Sequence, residues 1–205
     1  MSTDTQQPTS TSSEMKTAPS NDAPAEQAST PKTPAKPKTL TLTTHIGDIF
    51  AAPPNTLLIH ACNTQGSWGA GIAAAFRERY PEAYKVYRAH CLSRNVRTGT
   101  ALLIPPCETN PKAPQHWIGC LFTSARFGRA KDSPAQILAN TGPAIRELLD
   151  EVKGEEEGGN QVTEVRMCKI NSARFGVPWP RTVSVLEGIG IQDGWKSDVE
   201  IWSID

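Results

Sequence analysis

The densest chemical signal in the chain is IHACNTQGSWGAGIAAAF, residues 59–76. An apolar run ends at Asn63, glycines follow at 66, 69 and 71, and an alanine-rich helical stretch begins. Glycines let a backbone approach a ligand closely, and a helix start offers unpaired N–H groups to an anion. Phosphate or pyrophosphate is the guest that suits this arrangement, although a strand-to-helix turn that binds nothing would use the same residues. A second candidate is HIGDIF at 45–50, where Asp48 follows a β-like run among apolar neighbours. A carboxylate buried there needs donors, and an adenine amino group is one; a plain turn or cap residue is the alternative. The third is NSARFGVPW at 171–179, with Asn and Ser donors, Gly176 and Pro178 after another β-like run. Its pentapeptide SARFG occurs twice, at 124–128 and at 172–176.

Other phosphate chemistries fit less well. No GxxxxGK[ST] pattern is present. GAGIAA (69–74) matches the loose dinucleotide pattern, but it starts six residues after Asn63, and some twenty residues on the chain reads RAHC, with no acid for a ribose. HCLSRNVRT (90–98) has the spacing of a cysteine-phosphatase loop, in which backbone N–H groups and an arginine cradle phosphate around a thiolate. Such a loop follows a strand and opens a helix. Cys91 instead ends a helical pattern, and Arg94 stands where a glycine would relieve the turn.

The elements that must position these residues are legible as alternating runs. β-like stretches occur at 39–44, 56–62, 100–105, 116–122, 162–170 and 198–204. Ile72, Phe76, Tyr80, Tyr84, Tyr87 and Cys91 recur at helical spacing, and Pro81 should divide that run into two helices. A helix is expected over 133–152, capped by Ser133 with Pro134 at its first position and irregular at Gly142-Pro143. A short one should begin at Pro180, while 107–114 and 153–161 read as surface loops. Strands alternating with helices predict an α/β domain with a parallel or mixed sheet and helices on both faces. Each SARFG then follows a strand, with flanks that diverge at once, so two loops at one end of the sheet are expected rather than a duplicated domain.

Composition narrows the class. Residues 1–38 contain 13 Ser/Thr and 6 Pro and no aromatic residue, and are read as a disordered tail without the marks of a targeting signal. The remaining 167 residues suit one domain burying roughly 70% of its unfolded-chain surface. Lys and Arg number 21 against 21 acids, which speaks against a nucleic-acid or membrane binder. Five cysteines without a CxxC pair read as reduced structural thiols, which points to cytosol or nucleus. The four histidines complete no zinc spacing with them. No metal or cofactor is expected, and a monomer is.

Taken together, GDI after the first strand, HACN with its glycine-rich loop, and INSARFGVPW resemble the macrodomain family, most closely its fungal ADP-ribose 1''-phosphate phosphatases. The resemblance spans nearly all of 39–205 and implies a three-layer α/β/α sandwich holding ADP-ribose across the C-terminal ends of its strands. It implies that Asp48 accepts from the adenine amine, with Gly47 and Ile49 beside the adenosine. Ala61, Cys62 and Asn63 would line the distal ribose. Trp68, Gly69, Ala70, Gly71, Ile72 and Ala73 would form one phosphate loop. Asn171, Ser172, Ala173, Arg174, Phe175, Gly176 and Val177 would form the other, with Phe175 beside the distal ribose. The first SARFG would share the rim without assigned ligand contacts.

Two departures from the family pattern stand out. Ala70 replaces a middle glycine, which a negative φ tolerates. Phe175 stands where the terminal ADP-ribose glycohydrolase branch has an Asp.

The implied activity releases phosphate from ADP-ribose 1''-phosphate, with a small-molecule substrate as the only partner. The alternatives are hydrolysis of other ADP-ribose conjugates, or ADP-ribose binding without turnover. Asn63 and His60 are the catalytic candidates. His60 is proposed to handle the proton because imidazole titrates near neutral pH, though as a strand residue it has the alternative of packing into the core.

Overall fold

The computed structural model describes residues 38–93 and 96–204. The tail expected over 1–38 lies outside the described residues except for Lys38. That residue already belongs to the fold: its carbonyl accepts from Ile191 N, and Thr39 bridges to Gly190.

All six β-like runs become strands: β1 (Thr41–Ile46), β2 (Leu57–Asn63), β3 (Ala101–Ile104), β4 (Trp117–Ser124), β5 (Val165–Cys168) and β6 (Asp198–Ser203). They form one sheet in the order β1-β6-β5-β2-β4-β3. Every pairing is parallel except β3 with β4. β4 is buried along its whole length and β2 along nearly all of it, as their continuous apolar sequences require of central strands covered on both faces. β1, at the edge, has only exposed and half-buried residues.

The helices cover both faces, giving the expected α/β/α sandwich. α1 (Ile72–Arg79) and α2 (Pro81–Leu92) divide at Pro81, which takes the first position of α2. They cover the face that carries His60, Cys62 and Cys120. α3 (Pro134–Glu157) crosses the opposite face beside α4 (Trp179–Glu187). The crossing is close: a Cβ on Gly119 would meet Leu148 Cδ2 at 2.8 Å and Ile59 Cγ1 at 3.1 Å, so a larger residue in β4 beneath α3 would have to displace Leu148.

α3 begins as its sequence dictates. Ser133 and Gln136 form a reciprocal capping box, and Pro134 follows the cap. Two expectations for this helix are corrected. It runs through Gly142-Pro143 without a break, because its apolar face (Ile137, Ala144, Ile145, Leu148, Leu149, Val152) is buried on the sheet to either side of the proline. It also takes in Lys153–Glu157, read from sequence as loop. There Lys153 pairs with Glu157 at 3.7 Å and Lys196 with Glu156 at 2.7 Å.

Candidate active site

Because the strands flanking the candidates are parallel, their C-terminal ends lie along one edge of the sheet. Four connections leave that edge: Gly47–Ile49 after β1, residues 169–178 after β5 (loop 2), 64–71 after β2 (loop 1), and 125–133 after β4 (loop 3). β1 and β2 are three strand steps apart, about 14 Å at about 4.8 Å per step. A ligand engaging both must be long and lie across the strand ends.

Loop 1 is built around Asn63. Its Oδ1 accepts from Gln65 N at 3.0 Å and Ser67 N at 3.3 Å, and its Nδ2 donates to Ser67 O at 2.7 Å. Asn63 is nearly buried, and a single Nδ2 hydrogen is left to offer a ligand. Two tyrosines of α2 brace the loop from below. Tyr87 OH donates to Asn63 O at 2.6 Å and Tyr84 OH to Gly66 O at 3.2 Å. Gly71 caps α1 at φ 57° and ψ −142°, a conformation for glycine, and presents the helix N-terminus next to exposed Gly69 and Ala70. Ala70 is not among the described residues with positive φ, so the alanine is accommodated as expected.

Loop 2 closes on its own backbone. Gly176 N donates to Ser172 O at 2.7 Å and Val177 N to Asn171 O at 2.9 Å, with Asn171 at φ 62° and Gly176 at φ 72°. The Asn171 side chain is buried and donates to Thr141 Oγ1 of α3 at 2.9 Å, while its Oδ1 has no protein partner among the described residues. Ala173, Arg174 and Gly176 are exposed, Ser172 and Phe175 half-buried, and Val177 buried.

Loop 3, which contains the first SARFG, is held by side chains. Ser124 Oγ donates to Arg126 O at 2.8 Å and accepts from Asp132 N at 3.0 Å, and Asp132 Oδ2 accepts from Ala125 N at 2.9 Å. The three loops meet in a ring. Thr64 Oγ1 of loop 1 donates to Ala125 O of loop 3 at 3.0 Å. The Lys131 stem of loop 3 passes 3.7 Å from where a Cβ on Gly176 would stand. Arg174 Cγ of loop 2 lies 3.7 Å from the corresponding point at Gly71. Sequence reasoning had placed the first SARFG on this rim but missed Thr64, Lys131, Asp132, Tyr84 and Tyr87 as its ties. The helical spacing of the tyrosines places them on one helix and says nothing of the loop carbonyls they hold.

Four of the expected site residues are placed as follows. His60 is 0% exposed, stacked on Phe76 at 4.1 Å and edge-on to Trp68 at 4.8 Å. Strand alternation turns residues 60 and 62 to the α1–α2 face, so His60 and the Cys62 side chain lie beneath the site. Trp68 is buried as well, stacked on Tyr87 at 4.9 Å, and plugs the floor of loop 1. Asp48 departs the other way. It is 53% exposed, accepts from Phe50 N at 3.0 Å and pairs with Arg79 at 3.6 Å. The turn at Gly47–Ile49 thus supplies its own donors to the carboxylate, with Ile49 taking the buried position.

His60, Cys62 and Cys120 bring three ligand atoms within 4.8 Å of one another, a cluster that the scattered sequence positions concealed. Its chemistry suits a soft metal ion, but it is sealed under aromatic rings. Burial pushes the Cys62 thiol up, and the hydrogen bond from Cys120 and the neighbouring His60 overcome this and bring it down to about 5. Burial and the adjacent Cys62 hold Cys120 well above the usual thiol range. Cys91, the rival nucleophile, sits in the last turn of α2 behind Gly66, and burial pushes its thiol up to about 11. It lacks both the strand–loop–helix setting and the thiolate that a cysteine phosphatase needs. Arg94 lies outside the described residues.

A model of the Macro domain matches residues 59–186, and the chain belongs to the macro domain family. Among curated relatives it is similar to the ADP-ribose 1''-phosphate phosphatase of Chaetomium globosum, with 53% identity over 164 residues, 77% of this chain and 89% of that protein. Its likeness to the Aspergillus clavatus protein of the same name is 43% over 176 residues, 71% of this chain and 88% of that one. Among solved structures it resembles the macrodomain of Thermus aquaticus DarG, with a TM-score of 0.59, 18% identity, and 80% and 98% of the two chains covered. Thermosipho africanus DarTG in complex with ADP-ribose gives a TM-score of 0.58 at 17% identity, covering 82% of this chain and 43% of that one. These two structures share the fold.

Proposed function

We propose that this chain is a phosphatase that hydrolyses ADP-ribose 1''-phosphate to ADP-ribose and phosphate. The observation that carries the reading is the ring of three strand-end loops around the α1 N-terminus, in a chain 53% identical to a relative bearing that name. The adenosine would lie at Gly47–Ile49, with the exposed Asp48 carboxylate accepting from the adenine amine. The diphosphate would lie over loops 1 and 2, against the N–H groups of Gly71, Ile72 and Ala73 and those of Ser172 to Phe175. The distal ribose would lie beyond, near the backbone of Ala61 and Cys62, the remaining Nδ2 hydrogen of Asn63, and Phe175. With His60 buried, the chain's contribution in this reading is electrostatic and positional. Fixed N–H groups and cations hold the phosphate while water attacks, and no proton is routed through the core histidine. A reducing compartment, cytosol or nucleus, suits the five free cysteines, and a monomer would suffice for the site described.

The test is inorganic phosphate released from ADP-ribose 1''-phosphate by the purified protein. Asn63→Ala removes the hinge of loop 1 and is expected to slow release about 100-fold or more. Cys91→Ser should leave release within a few-fold of the parent, and its loss of activity would restore the cysteine-nucleophile reading. Saturable ADP-ribose binding without phosphate release would make the chain a reader. Release of ADP-ribose from acylated or protein-linked substrates instead would make it a different hydrolase.

A further inference from the structure

Loop 3 carries Arg126, Arg129 and Lys131, and the Lys131 stem lies against Gly176 of loop 2. Its stem passes over Gly176 and is half-buried, whereas Arg126 and Arg129 are exposed. Among the described residues neither Lys131 nor Arg174 has a carboxylate within ion-pair distance. The nearest acid in sequence, Asp132, is engaged with Ala125 N at 2.9 Å. Two cations thus stand on the rim without an internal counter-charge, and one has its stem already fixed by packing.

Strand order says which part of the substrate reaches them. Along the sheet edge the connections fall in the sequence Gly47–Ile49, loop 2, loop 1, loop 3. A ligand with its adenine at the β1 end places its diphosphate over the two middle loops and brings its far end to loop 3. We propose that Lys131 recognises the phosphate on the distal ribose, sharing it with Arg174, and is the residue that distinguishes ADP-ribose 1''-phosphate from ADP-ribose. The assignment rests on the proposed function for its substrate. In geometry it rests on the contact with Gly176 and the position of loop 3 after β4.

The experiment measures two quantities on the full chain: KM for ADP-ribose 1''-phosphate, and Kd for ADP-ribose by calorimetry. Lys131→Met keeps the stem and removes the charge. It is expected to raise KM about 10- to 100-fold and to leave the ADP-ribose Kd within about twofold, while Lys131→Arg recovers most of the loss. Arg129→Met, on the same loop, controls for general charge and should change neither. The proposal is overturned if Lys131→Met weakens both ligands alike, which would assign Lys131 to the diphosphate, or weakens neither. Should the parent protein release no phosphate, the functional reading falls on its own. Calorimetric Kd values for ADP-ribose 1''-phosphate and for ADP-ribose, in parent and variant, then decide the role of Lys131 by the same criterion.

Discussion

The two copies of SARFG make the sharpest contrast in the molecule. Both end in a glycine with left-handed backbone, Gly128 at φ 66° and Gly176 at φ 72°. There the likeness stops. The second copy folds back on itself through Gly176 N to Ser172 O, and its serine hydroxyl has only a 3.4 Å contact to Ile170 O. In the first copy the serine hydroxyl is the keystone, joining Arg126 and Asp132 across the loop. One pentapeptide therefore closes by backbone and the other by side chain, because Asn171 precedes one and Asp132 follows the other. Identical residues do not make equivalent sites; the flanks decide.

The largest way to separate the copies is at their glycines. Gly176→Ala and Gly128→Ala should each cost about 1 kcal/mol of stability for forcing alanine into the left-handed region. The first displaces the loop proposed to cradle the diphosphate, so phosphate release should fall about 100-fold there, and by less for Gly128→Ala, which shifts loop 3 alone. Equal losses would show that loop 3 shapes the phosphate site as directly as loop 2 does. The serines invert the order. Ser124→Ala strands Asp132 N and Arg126 O and is expected to cost about 2 kcal/mol, a fall in Tm of roughly 4–8 °C. Ser172→Ala should stay within about 0.5 kcal/mol, and thermal melts of the pair decide it.

The smallest effect is in the platform that both loops share. Asn140 and Thr141, adjacent on α3, hold Thr123 O at the end of β4 and Asn171 in loop 2. Further along α3, burial pushes the Glu151 carboxyl from 4.5 up to about 7, with Glu147 and Glu155 adding to the shift. Its folded-state pKa is raised, so its stabilising contribution is complete below about pH 4.5 and is lost as pH rises through about 7. Glu151→Gln should therefore gain Tm relative to the parent between pH 5 and pH 8. Phosphate release at a common pH should be unchanged, and a change would mean that the platform, and not the loops alone, tunes the site.

Much of this was legible in the sequence. β-branched and apolar runs located all six strands, Pro81 divided α1 from α2, and Ser133-Pro134 started α3. The glycine spacing after Asn63 and the phrase NSARFGVPW found two of the three loops. What escaped were facts about faces and partners. The string HAC does not say that His60 and Cys62 point away from the ligand edge, since that depends on the register that brings Cys120 beside them. Asp48 lies among apolar letters yet is exposed, because its turn lifts it off the strand end. Gly142-Pro143 resembles a helix break, and buried residues on either side override it.

The sealed cluster under loop 1 also bears on thiol chemistry. Cys120 and His60 hold the Cys62 thiol below the usual thiol range, toward the form that alkylating reagents attack, yet it is 2% exposed beneath Trp68. Cys107, by contrast, is only half-buried. In native protein the rate at which Cys62 is alkylated is therefore a clock for how often Trp68 lifts from the sheet, with Cys107 as its ungated reference.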